Sequence, residues 1–127
     1  MKIKTADLTG PALDWAVATC DGYEGQFEDE VSGPWLVPQE GFLHDEKSLS
    51  QYSPSTSWSQ GGPIIEREWL DITSWPNESD EEQRWQCHQY DAPKPYQALG
   101  PTSLIAAMRC VVASRLGDEV DVPDELV

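Results

Sequence analysis

Basic side chains are scarce in this chain. Eight Lys and Arg stand against 23 Asp and Glu, a formal charge of −15 over 127 residues. Direct binding to DNA or RNA needs clustered cations, and so does adhesion to an anionic membrane surface, so neither is expected. No apolar run approaches the roughly 18 residues of a spanning helix. The opening Met1-Lys2-Ile3-Lys4-Thr5 carries no apolar signal segment, and the expected location is the cytoplasm. Cysteine is sparse as well: Cys20, Cys87 and Cys110 are odd in number and widely spaced, which reads as free thiols and not a disulfide framework. No C-x-x-C is present, so no structural zinc, other metal or cofactor is expected.

Catalytic signatures are missing too. There is no phosphate-binding P-loop, no EF-hand loop and no nucleophile elbow. The two histidines are His44 and His88. Cys87 and His88 are consecutive in a strand-like run and would point to opposite faces, so they do not form a nucleophile–base pair. His44-Asp45-Glu46 are adjacent, a spacing that seldom converges on one ion, and read as a solvated loop. The expectation is a protein without catalysis.

What is present is enough for one domain, residues 1–127, with a core that needs no staples. Thr9-Gly10-Pro11 opens a helix near 9–21, with Leu13, Ala16, Val17 and Cys20 at helical spacing and Gly22 at its end. Strand-like runs lie near 23–29, 34–37, 69–73 and 84–90, with a polar loop over 39–51 and another over 91–101. Glu78 to Glu82 sits in an acidic, hairpin-like loop. A short helix is expected near 62–68 with Pro63 in its first position. The last helix, near 102–116, is capped by Thr102, stopped by Gly117 and apolar nearly all round, which requires cover on most sides. It is either central to the domain or shared with a second copy as a homo-oligomer. Residues 118–127 form an acidic strap, with Val120 and Val122 tucked under it. The fold class that follows is α+β: a small, mainly antiparallel sheet of three to four strands packed by about three helices.

Aromatic content is uneven, with six Trp against two Phe. Trp is seldom wholly hidden, so some of these indoles must show a face. Trp15 and Trp85 lie on apolar faces and read as core. Trp58 and Trp69 bracket the Gly61-Gly62-Pro63 turn. Tyr52, Ser55, Thr56, Trp58, Gln60, Gly61, Gly62 and Trp69 therefore form the candidate ligand-binding set. The indole would stack on a flat ring, the glycine amides would meet an anionic or carbonyl group, and the hydroxyls would orient it. A well-capped turn feeding a core helix carries the same residue types.

Three blocks of the chain resemble the NinX-like family of tailed-phage proteins. They are Leu8-Thr9-Gly10…Leu13-Asp14-Trp15-Ala16-Val17-Ala18, then Tyr52-Ser53-Pro54-Ser55-Thr56…Trp58…Gln60-Gly61-Gly62-Pro63-Ile64-Ile65-Glu66, then Ala106-Ala107-Met108-Arg109-Cys110…Gly117-Asp118-Glu119-Val120. The resemblance implies a small phage accessory protein acting in the bacterial host cell, of a family with no assigned function. It supplies no catalytic residues. The family usually carries Asp where Ser57 stands here, and the acidic run Glu78 to Glu82 is peculiar to this sequence. The phage setting and the Trp58 loop together point to a counter-defence protein that sequesters a small nucleotide-like ligand. The charge of −15 points instead to an acidic inhibitor or DNA mimic bound to a basic host protein, and it opposes a phosphorylated ligand unless Arg67 or Arg109 reaches the site. An enzyme of unknown class is the third reading.

Overall fold

The structure is a computed structural model and describes residues 1–26, 35–38, 47–48, 51–89 and 96–126. The acidic half of the first strand-like run and His44-Asp45-Glu46 lie outside the described residues. Near its start the chain is clamped to its far end. Strand β1 (Lys2–Lys4) pairs antiparallel with β8 (Glu119–Asp121), Ile3 opposite Val120. The Thr5 hydroxyl donates to the Gly117 carbonyl at 2.6 Å, and the Val122 amide to the Met1 carbonyl at 2.8 Å. Val120 and Val122 are buried, as their place in the acidic strap predicts.

Helix α1 (Gly10–Cys20) follows an extended Thr9 and places Pro11 in its first turn, where the missing N–H costs nothing. Leu13, Ala16, Val17 and Ala18 are fully buried. Gly22, at φ +90°, releases the chain into β2 (Tyr23–Gln26). Strands β2, β3 (Trp35–Pro38) and β4 (Lys47–Ser48) form an antiparallel sheet in that order. After helix α2 (Trp58–Arg67), a second antiparallel sheet runs β5 (Leu70–Ser74), β6 (Trp85–Gln89) and β7 (Tyr96–Gly100), in sequence order.

The fold class is α+β, with the three expected helices. Two details depart from the sequence expectation. The four anticipated strands do not share one sheet: two belong to each of the three-stranded sheets, and among the described residues there is also the β1–β8 pair. Local patterning sets which residues can extend, while partner choice depends on contacts distant in sequence. Strands β4 and β7 fall in stretches read as loop. Tyr96–Gly100 follows a proline-rich run and carries little alternation, yet it gains strand form by pairing along the whole of β6.

Helix α3 (Ser103–Leu116) is central. It packs on β5, β6 and β7, and also against α1, α2 and β8. Leu104 and the run from Ala106 to Ala113 are buried within the single chain, while Arg115 and Leu116 in the last turn are exposed. Cys87 and Cys110 meet in this core, and Trp15 and Trp85 pack at its edge. Buried Glu68, just past α2, accepts from Arg115 and from Gln89 Nε2, tying α2, α3 and β6 together.

Candidate ligand-binding surface

Polar ties set the shape of the Tyr52–Arg67 region. Asp14, on α1, is buried, and its carboxylate accepts the Ser55 amide at 2.9 Å. Burial pushes the Asp14 carboxyl above its ordinary range, and the Ser55 amide offsets part of that rise. The Gln60 side chain closes the same turn from the other side, accepting the Ser53 amide at 2.8 Å and donating to the Gln51 carbonyl at 3.1 Å. Tyr52 is buried and donates its hydroxyl to Asp21 at 3.3 Å. Arg67 pairs with the same carboxylate at 2.7 Å.

Helix α2 begins at Trp58 with Ser57 as its extended cap residue, four residues earlier than the sequence suggests, and Pro63 lies inside it. Pro63 was expected in the first helical position because two glycines and a proline oppose a helix that continues through them. Tertiary contact overrides this: Gly61 packs so closely that an added Cβ would lie 2.5 Å from the Pro54 carbonyl oxygen and 2.6 Å from Leu104 Cδ2. The Gly61 amide is therefore not open to a ligand; it donates to the Ser57 carbonyl at 2.8 Å. Gly62 sits beside it within the helix and has open space around its Cα.

Six of the eight candidates divide among three depressions with no lining residue in common, and Gly61 and Gly62 line none of the three. Tyr52 and Gln60 line one of about 410 Å³, with Asp21, Tyr23 and Ile64. Trp69 lines another of about 470 Å³, formed with Ile65, Glu66 and Leu70. Ser55, Thr56 and Trp58 line the third, about 260 Å³, opposite Thr102, Ser103, Leu104 and Ile105. Trp58 is 59% exposed and Trp69 77%, and Trp69 also adopts a left-handed backbone at φ +54°.

The third depression joins two helix starts. Ser57 gives α2 no side-chain cap, and Thr102 caps α3 only at the Ile105 amide, 3.1 Å away. The first amides of each helix have no intrahelical acceptor, and each helix start carries a partial positive charge. Stacking surface, hydroxyls and two helix starts thus meet here, away from the glycine pair. Thr102 and Ser103 were legible in the sequence only as a cap.

Neither arginine weighed against the acidic field lines this depression. Arg67 is engaged with Asp21 and Glu68. Arg109, in the middle of α3, lines a separate cleft of about 590 Å³. A lone arginine within the apolar 104–113 run was the signal that could have found it.

Two of the three thiols are subdued. Burial pushes the Cys20 thiol up to about 12, and the neighbouring Cys110 thiol, with burial, raises Cys87, so both stay thiols at neutral pH. Among the described residues no three His, Cys, Asp or Glu side chains are grouped to hold a metal ion. No helix among them is long and apolar enough to cross a membrane.

The described residues form a small acidic α+β fold with shallow depressions beside the exposed indoles of Trp58 and Trp69. The chain belongs to the NinX family: the model described as Bacteriophage P22, NinX matches residues 4–115, and the protein is a phage protein of that family. Comparison with curated proteins finds no match.

Proposed function

We propose that this chain is a non-catalytic accessory protein that acts in the cytoplasm of the phage-infected bacterium and sequesters a small nucleotide-like ligand of host defence. The observation that supports this reading is the placing of exposed Trp58 beside the starts of both α2 and α3. A base stacked on one aromatic side chain gains about 1–3 kcal/mol. Two helix starts offer neutral N–H donors and dipole ends to an anionic group. That suits a protein of charge −15, which has few cations to spare. Ser55, Thr56, Thr102 and Ser103 fix orientation. The depression holds only part of a nucleotide, so the base lies over the indole at the surface.

The test is to purify the protein from infected, defence-active cells, release its cargo by heat and identify it by mass spectrometry. Calorimetry of the released compound with the wild type and Trp58→Ala then locates the site. Trp58→Ala should lose binding and keep its melting temperature. Retained affinity in that variant, or no released compound, rejects the proposal.

A second reading is supported by Trp75, 52% exposed at the edge of the acidic turn that holds Glu78, Asp80, Glu81 and Glu82. An exposed indole next to an acidic turn suits a basic host protein. Such a complex should weaken steeply with added salt and on neutralising those four acids together. Pull-downs indifferent to both changes would remove this alternative.

A further inference from the structure

The Arg109 cleft is separate from the Trp58 depression and shares no lining residue with it. Arg109 rises from the middle of α3, and only 5% of it is exposed. Its Nε donates to the Leu8 carbonyl at 2.8 Å and its Nη1 to the Leu99 carbonyl at 2.9 Å. These bonds hold the guanidinium plane but do not neutralise it. A guanidinium has five N–H donors and a full charge. The ion partner it has is Glu82, 3.7 Å from Nη1, longer than a hydrogen bond, on a side chain 65% exposed at the surface turn. A buried cation with so loose a counter-charge is unfavourable until an anion completes it.

We propose that this cleft is a second binding site, taking a small organic carboxylate with an apolar body, whose head group displaces Glu82 from Arg109. Glu82 shows which group the guanidinium accepts, because it approaches as a carboxylate on an exposed side chain that can rotate into solvent. Ala98, Leu99 and Ala113 give the cleft apolar walls for the ligand's body. Asp7 and Asp118 at the rim favour a single negative charge over a phosphate dianion, and Lys4 offsets only one of them. Burial also lowers the Arg109 pKa, and the Glu82 and Asp7 carboxylates offset only part of that fall.

The test uses the full chain with three probes that share one ring: benzoate, phenyl phosphate and benzyl alcohol. Binding is read at constant ionic strength from the shift of the Arg109 Nε–H signal and from saturation transfer to the probe. Benzoate should bind at millimolar concentration, phenyl phosphate more weakly, and benzyl alcohol not at all. Glu82→Gln, which removes the competing carboxylate, should tighten benzoate by about fivefold, the scale of an exposed ion pair. Ala6→Phe, at an exposed position on the cleft wall, should abolish binding without changing the melt. Arg109→Gln should also lose binding, but it removes two structural hydrogen bonds, so the Glu82 and Ala6 variants decide. The proposal is overturned if benzoate does not bind, if phenyl phosphate binds better, if Glu82→Gln binds no tighter, or if Ala6→Phe binds as well as the wild type.

Discussion

Two neighbouring glycines on one helix should respond to the same substitution with opposite sign. An alanine in place of glycine inside a helix gains about 1 kcal/mol from propensity alone. At Gly62 nothing stands within reach of an added Cβ, so Gly62→Ala should realise most of that gain. At Gly61 the new methyl would meet the Pro54 carbonyl at 2.5 Å, about 1 Å short of ordinary contact. Leu104 on its other side can rotate away. Pro54 cannot move easily, because the adjoining Ser55 amide is held by Asp14 and the Ser53 amide by Gln60. Overpacking of this kind costs about 1–3 kcal/mol, and a backbone obstacle belongs in the upper half of that range. Net of propensity, Gly61→Ala should lose about 1–2 kcal/mol. Near this chain length 1 kcal/mol moves the melting temperature by about 4 °C. Gly61→Ala should therefore melt roughly 4–8 °C below the wild type, and Gly62→Ala up to about 4 °C above it. Urea unfolding with an unchanged slope would confirm that the native state is what changed. Equal gains at both positions would refute the close packing of α2 on the Ser53–Ser57 turn.

Met108 lies fully buried where α3 meets the rest of the core, so Met108→Asp should abolish cooperative unfolding by circular dichroism; a folded variant of unchanged melting temperature would refute this. Asp14→Ala leaves the buried Ser55 amide without its acceptor and should cost about 1–3 kcal/mol in urea. Because burial raises the folded-state pKa of Asp14, the native state holds that proton over a window in which the unfolded chain has lost it. Its contribution to stability thus falls as pH rises from the ordinary carboxylate value to the raised one, and stays level above. Asp14→Asn should remove that slope and gain on the wild type towards neutral pH; a difference independent of pH would count against it. Thr102→Ala should cost about 1 kcal/mol through the lost cap on Ile105, read from the same melts.

Much of the fold could be read locally. Helices α1 and α3 carry their own punctuation, Pro11 and Gly22 for one, Thr102 and Gly117 for the other, within a few residues of where the chain turns. Strands β5 and β6 were placed within a residue or so, because each side chain's face is set by period-two alternation. Val120 and Val122 betrayed a buried strap through their contrast with the acids around them.

The sequence by itself determined that this is an acidic, thiol-bearing α+β protein with an almost wholly apolar final helix, since composition and short-range periodicity are properties of the chain alone; the phage family came from the resemblance of its three blocks. It also set Trp58 and Trp69 apart from the core tryptophans Trp15 and Trp85 as ligand candidates. The tertiary structure decided the rest. It extended α2 back through Gly61 and Gly62, because the fit against Pro54 and Leu104 outweighs the propensity of two glycines and a proline. It gave Asp14 and Gln60 structural partners that neither could announce from 41 and seven residues away. And it set Trp58 against the start of α3, and Arg109 beneath Glu82, because packing joins groups whose separation in sequence carries no local signal.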